Sequence, residues 1–271
     1  MKYRHVFALV CFIGLLPLSL SHADYCAPVN IEVWAYASYA TDGETLIIQN
    51  KKFKLIGVKA PQKQRKNKFN MPGQPLAKKS QDRLNRLLAN HDLRIGVQYD
   101  TRKKDTFNRG LVHLFVKQGD KIVNLNKLMI ASGYALAFSE YNNNLHQKCY
   151  YQAEKEARKD GIALWSLAEN QPELHFPIVN STDVTSNDDS FRIYRGKIVK
   201  VEKSSRNYIL NMDTTGIRVR REYWEHFDFN ELKKLKGQTV EVRGYGKLFK
   251  GRMFVNIESP NVINVLNPVN N

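Results

Sequence analysis

Apolar and polar residues alternate from Ile31 to Tyr39, the pattern of a half-buried strand. Two further apolar runs, "TLIIQN" and "FKLIGV", follow it. Asp42-Gly43 before them supplies turn chemistry, so the three runs predict a meander. From Gln74 to Ala89 the spacing changes to that of a helix, with Leu76, Ser80, Leu84, Leu87 and Leu88 on one face. Strand-like runs at Leu93–Tyr99 and Gly110–Val116 come next, then helical patterns near Leu125–Ser132 and Leu145–Asp160. The predicted order is three strands, a helix, two strands and then helices.

The same order recurs further on, without the trailing helices. Strands are predicted near Arg192–Glu202, Tyr208–Met212 and Ile217–Arg221, a helix over Glu222–Leu235, and strands at Thr239–Tyr245 and Arg252–Glu258. A five-strand plan of this kind suits an OB barrel, a sandwich and an SH3-like barrel being the other readings. Gly196, Gly237, Gly244 and Gly251 fall at bends or strand starts, where a small barrel curves sharply. Between the two units runs "NSTDVTSNDDS", Asn180–Ser190, with almost no apolar content. The expected organisation is a first domain at residues 24–168, a linker at 169–190 and a smaller OB-like barrel at 191–267, an α+β protein built on β-barrels.

The first 23 residues read as a signal peptide: Lys2 and Arg4 precede an apolar run from Val6 to Leu20, and Ser21-His22-Ala23 supplies small residues for cleavage. The run is broken by Pro17 and falls short of the roughly 20 residues needed to span a bilayer. Bulky Tyr25 before Cys26 disfavours a lipidation signal. The chain is expected to be exported, periplasmic or secreted, with no stable membrane insertion after cleavage. Cys11 leaves with the signal, so Cys26 and Cys149 remain for an oxidising compartment. A disulfide between them is the simplest reading and two buried thiols the other.

Charge sharpens the picture. The formal net charge is +16, of which residues 24–166 carry +11 and residues 167–271 only +3. Such an excess favours polyanions, a generally basic soluble surface being the bland alternative. Lys63, Arg65, Lys66 and Lys68 form one basic loop, and Arg102, Lys103 and Lys104 another, with Lys51, Lys52 and Arg109 to flank a groove. Phe69, Tyr99 and Phe107 are candidates for stacking bases, against core packing. Tyr194, Tyr208, Arg218, Arg220 and Arg221 are candidates for a similar face on the second barrel.

Five separated segments, "DGETL", "FKLIGVKAPQ", "DTFNRGL", "VNLNKLMIASGYA" and "EKEARKDGIALW", carry a resemblance that covers Asp24 to Trp165. Together they resemble the staphylococcal nuclease, or thermonuclease-like, family. The resemblance implies an OB barrel with helices and a calcium ion held by carboxylates. It also implies a Glu that handles the attacking water and two Arg side chains on the phosphate. Carried onto this chain, Glu44 stands for a ligating Asp with Asp42 before it, Lys54 for the first Arg, Lys59 for the second metal carboxylate and Ala60 for a Thr. Gln62 stands for the general base, and Arg109 keeps the second Arg.

These departures differ in weight. Lys54 keeps a cation but loses the bidentate fork of Arg. Gln62 cannot accept a proton from water, which removes a contribution of typically 10²–10⁴-fold. At about 4 Å and an effective dielectric near 20, each pair of unit charges contributes about 4 kcal/mol, so Lys59 for a carboxylate costs a divalent ion roughly 8 kcal/mol of attraction. One reading of Lys59 is that its ammonium stands in the metal's place and pairs with Glu44 or Asp42. Another is that metal and base come from His91, His113 or Asp105. The expected function is therefore binding of nucleic acid, single-stranded in preference, or of another polyanion, with hydrolysis lost or weak and no cofactor. The alternatives are a calcium-dependent phosphodiesterase with an altered site and an envelope module for protein or glycan.

Overall fold

The computed structural model describes residues 25–64, 72–140 and 142–266. The signal-peptide reading and the loop positions Arg65, Lys66, Lys68 and Phe69 lie outside the described residues. No described helix is long and apolar enough to cross a membrane.

The predicted meander is present as β1 (Val33–Ala40), β2 (Thr45–Ile48) and β3 (Lys51–Leu55). A short β4 (Val58–Lys59) follows, then α1 (Ala77–Ala89), β5 (Arg94–Gln98), β6 (Gly110–Gln118) and β7 (Lys121–Asn124). β1 pairs antiparallel with β2 and β5, β2 with β3, and β5 with β6, while β3 and β6 run parallel and close a five-strand barrel. Its core takes the inward positions Leu46, Leu55, Ile95, Val97, Val112 and Leu114. The buried face of α1 carries Ser80, Leu84, Leu87 and Leu88, the stripe legible in the sequence.

Asn124 caps α2 (Leu125–Ala131), accepting the Lys127 N–H at 3.0 Å. β8 (Leu136–Ala137) pairs with β4, and α3 (Gln147–Lys159) and α4 (Leu164–Asn170) complete the first unit. Cys149 on α3 is disulfide-bonded to Cys26, so the expected bridge is present.

The second unit comprises β9 (Ile178–Asn180), β10 (Phe191–Lys197), β11 (Lys200–Lys203), β12 (Asn207–Asn211) and β13 (Thr215–Arg220). It continues with α5 (Phe229–Lys234), β14 (Thr239–Phe249), β15 (Arg252–Asn256) and β16 (Ile263–Val265). β10 and β11 are separated only by Ile198 and Val199 and act as one bent strand, pairing with β14 at one end and β12 at the other. β13 and β15 run parallel, as β3 and β6 do in the first barrel. The two units thus share one strand circuit, which decides between the OB plan and its alternatives.

Two sequence expectations need correction. The helix expected over Glu222–Leu235 divides into a 3-10 turn, Arg221–His226, and α5. Phe227 is extended and buried between them, and Asp228 restarts the helix by accepting the Asn230 N–H. The segment read as a linker is built into the second barrel: β9 pairs with β10, and buried Asp188 accepts from the Thr185 backbone and from His175. Polar side chains bonding to nearby backbone hold this segment, so its low apolar content did not mean absence of structure.

The barrels meet over Leu136, Ala157, Leu164, Trp165 and Phe176 from one side and Phe191 and Ile193 from the other. Buried Arg243 on β14 pairs with Glu154 on α3 at 2.7 Å and donates to Ala137 O at 2.6 Å. Glu241 on the same strand accepts a two-pronged bond from Arg158 on α3, 2.7 Å on each oxygen, and further bonds from Arg195.

Candidate active site beneath the second barrel

The turn after β1 builds the first half of the site. Asp42 Oδ1 accepts the Glu44 N–H at 2.8 Å, and Glu44 is turned inward. A Cβ at Gly43 would lie 1.9 Å from Ser80 Oγ on α1, so only glycine lets this turn approach the helix. Gly57 builds the other half at φ +74°, where a Cβ would strike the Tyr150 ring at 2.4 Å. The chain then delivers Val58 inward and Lys59 beside Glu44.

Lys59 Nζ donates to Glu44 Oε1 at 3.0 Å, and the Ala60 N–H donates to Glu44 Oε2 at 2.7 Å. Both side chains are buried. Burial alone would raise the Glu44 carboxyl, but Lys59, Lys54 and the Ala60 amide outweigh it and its pKa is lowered. Burial pushes Lys59 down in the same way, and Glu44 with Tyr245 overrides it, so its pKa is raised. The pair is ionised.

Residues from the second barrel roof this pair. Lys59 Nζ lies 5.2 Å from the centre of the Tyr245 ring and 5.6 Å from that of Phe191, within cation–π range. Gln74, just before α1, donates to Phe191 O at 3.3 Å and accepts the Gln62 N–H at 2.8 Å, tying the roof to the floor. Gln62 Nε2 donates to Ala60 O at 3.1 Å and approaches Glu44 Oε1 at 3.5 Å.

Lys54 and Arg109 line a cleft of about 330 Å³ beside the pair, between the barrels, with Phe107 and Tyr245. Each cation already holds a carboxylate. Lys54 forms an ion pair with Glu140, which with Glu44 reverses the effect of burial and raises its pKa. Arg109 Nε donates to Asp105 Oδ2 at 2.7 Å, and its Nη1 reaches Thr45 Oγ1 at 3.5 Å.

A divalent ion at Glu44 would have to displace the Lys59 ammonium, and Asp42 Oδ1 already accepts the Glu44 N–H. Among the described residues no group of three or more His, Cys, Asp or Glu side chains is arranged to hold a metal ion. The Lys59 ammonium thus stands where an ion held by Glu44 would have to sit. Of the other candidates Asp105 lines this cleft beside Arg109, whereas His113 and His91 are held elsewhere. His113 is buried against the Tyr150 hydroxyl at 2.7 Å and Asp100 at 3.5 Å, and burial lowers its pKa. His91 bonds Leu87 O at 2.8 Å, and Asp105 is engaged by Arg109.

Of the remaining basic positions Arg102 lines the cleft, and the others among the described residues are exposed. Lys51 and Lys52 are exposed on β3. Lys63 reaches back to Thr41 O at 2.9 Å, Arg102 Nε donates to Lys104 O at 2.8 Å, and Lys104 donates to Asn108 at 3.0 Å. Lys103 lies over the Tyr99 ring at 5.4 Å, and Phe107 is 79% exposed with the Arg109 guanidinium 5.6 Å from its centre.

The face expected on the second barrel from Tyr194 and Tyr208 is corrected. Tyr194 is fully buried with its hydroxyl donating to Asp188 O, and Tyr208 stacks on Trp224 at 4.3 Å. Both fall on inward strand positions. Arg220 pairs with Glu222, Arg221 lies 5.9 Å from the Trp224 ring, and Arg218 lies over Phe254. Tyr245, Phe191 and Glu140 escaped the sequence reading. Their partners Lys59 and Lys54 are remote in sequence, and a local apolar pattern carries no signal of such pairing.

Residues 52–167 match the family described as staphylococcal nuclease homologue. An uncharacterized protein of Methanocaldococcus jannaschii is 23% identical over 172 residues, 56% of this chain and 82% of that protein. An uncharacterized endonuclease of Haemophilus influenzae is 28% identical over 137 residues, 49% of this chain and 65% of that protein. With the parallel closure of β3 on β6 and the turn that positions Lys59, these matches identify residues 52–167 as a staphylococcal nuclease homologue domain.

Proposed function

We propose that the protein is an exported, nuclease-related binding protein that holds nucleic acid or another polyanion on the basic surface of its first barrel and has lost phosphodiester hydrolysis. The observation that carries this reading is the Glu44–Lys59 ion pair, closed at 3.0 Å and roofed by Tyr245 and Phe191. Hydrolysis of a phosphodiester needs charge stabilisation at the phosphate oxygens and a base for water. Here the carboxylate is neutralised by a built-in cation, the position of the base is an amide, and Lys54 and Arg109 are neutralised by Glu140 and Asp105. Lys59 would serve the fold as the ion serves related barrels, by compensating buried Glu44. Among the described residues the exposed cations Lys51, Lys52, Lys63, Arg102, Lys103 and Lys104 are left for a polyanion. Export is supported by the Cys26–Cys149 bridge, which belongs to oxidising compartments.

The relative named as an endonuclease favours a second reading, a nuclease with an altered site. Cleavage of labelled single-stranded DNA, with calcium and with chelator, separates the two. Salt-sensitive binding without cleavage is the expected result, and cleavage lost on Glu44→Ala would establish the second reading.

A further inference from the structure

Alternation along β14 and β15 sets a row of side chains on the outside of the second barrel, beyond the matched domain. Tyr245, Lys247 and Phe249 point outward from β14, and Arg252, Phe254 and Asn256 from β15. The register places Lys247 opposite Phe254 and Phe249 opposite Arg252. On the other side Phe254 neighbours Gly216 of β13, whose missing side chain leaves room for the ring: a Cβ there would come within 2.9 Å of it. Arg218, two residues along, lies over the Phe254 ring at 3.7 Å.

This surface carries cations that no described carboxylate neutralises. Arg218 Nε is buried without a hydrogen-bond partner, and no carboxylate among the described residues forms an ion pair with Arg218, Lys247 or Arg252. By contrast, Lys54, Lys59 and Arg109 in the first barrel are each paired. Phe249 is 58% exposed at the rim of a shallow cavity of about 240 Å³ bounded by Arg218, Lys247, Phe254 and Asn256. Asn256 also lines the cleft between the barrels, so the two depressions share an edge.

From these observations we infer that the outer face of β13, β14 and β15 is a second binding site, for the bases and phosphates of single-stranded nucleic acid. An exposed ring and a guanidinium plane supported from below offer stacking surfaces that any base can use, and the unpaired cations beside them suit the backbone. A neutral glycan would stack on the rings but would leave the cations without counter-charge. A duplex keeps its bases stacked inside and gains only the phosphate contacts. The site stands apart from the first-barrel reading, since its residues lie outside residues 52–167.

The test uses the full chain and measures anisotropy of a fluorescent oligothymidylate and of its duplex. Phe249→Ala, at a largely exposed position that spares the core, is expected to weaken single-strand binding about tenfold and leave duplex binding nearly unchanged. Phe249→Trp is expected to restore affinity, with its added emission quenched on binding. Unchanged single-strand affinity in Phe249→Ala, or an unquenched Phe249→Trp, overturns the inference. A chain that binds heparin but no oligonucleotide also overturns it while sparing the polyanion reading. Lys103→Ala/Lys104→Ala reports separately on the first barrel: if this variant binds as wild type while Phe249→Ala does not, the first-barrel reading fails and the second site stands.

Discussion

Arg243 of the second barrel and Glu154 of α3 in the first form an ion pair at 2.7 Å in which both side chains are buried. Glu154 Oε2 also accepts the Ala137 N–H, next to the strand pair that sets Lys59 in place. Breaking a buried pair by removing one partner typically costs about 3–5 kcal/mol, because the remaining charge stays buried. Arg243→Met and Glu154→Gln are each expected to lower the unfolding free energy obtained from urea titration by an amount in that range. The double variant is expected to recover part of it, since no lone charge remains. If both single variants unfold like wild type, the pair does not hold the barrels together.

Acid should loosen the same junction. Burial raises the Glu241 carboxyl, but the bonds and charges of Arg158 and Arg195 more than reverse this and bring it from 4.5 to about 2. A depressed folded pKa stabilises the protein at pH values above the unfolded value, and that contribution is lost as pH falls from 4.5 towards 2. The urea midpoint is therefore expected to fall across that window, and Glu241→Gln, destabilised throughout, is expected to show a shallower fall. Equal slopes would remove Glu241 from the account.

Reduction of Cys26–Cys149 opens a loop spanning 123 residues. Chain entropy for a loop of this size corresponds to about 5 kcal/mol. Thermal melts with and without reductant are expected to differ by several degrees or more, and matching melts would mean that the bridge is dispensable.

Polyanion binding on the first barrel is expected to weaken steeply with salt, each phosphate contact adding about 0.9 to the log–log slope. Lys103→Ala/Lys104→Ala is expected to lower that slope by about 2 if each contacts one phosphate. A slope insensitive to these changes would place the contacts elsewhere.

Much of this architecture was legible along the chain because strand alternation and the α1 stripe are local signals. Glu44, Lys59 and Gln62 could be singled out since they sit at fixed offsets within continuous motifs. What was not legible is what those residues meet. Tyr245 and Phe191 reach Lys59 only through the docking of one barrel on another, and Glu140 reaches Lys54 across most of the first domain. Tyr194 and Tyr208 read as surface candidates by residue type, whereas strand parity puts them inside and turns Phe249 and Phe254 outward. The apolar-poor stretch before β10 shows the converse: buried Asp188 and its hydrogen bonds fold a segment that lacks a hydrophobic pattern.

If Lys59 takes the place of a catalytic cation, exchanging it for a carboxylate should create a site for one. Calcium binding by calorimetry and cleavage of single-stranded DNA are measured on wild type, Gln62→Glu, Lys59→Asp and the triple variant Lys59→Asp/Gln62→Glu/Lys54→Arg. Groups that act as one unit are strongly non-additive. Wild type and Gln62→Glu are accordingly expected to neither bind calcium nor cleave, Lys59→Asp to bind calcium with little cleavage, and the triple variant to cleave in a calcium-dependent way that Arg109→Ala abolishes. Calcium-dependent cleavage by the wild-type protein, lost on Glu44→Ala, would mean that Lys59 does not replace the ion.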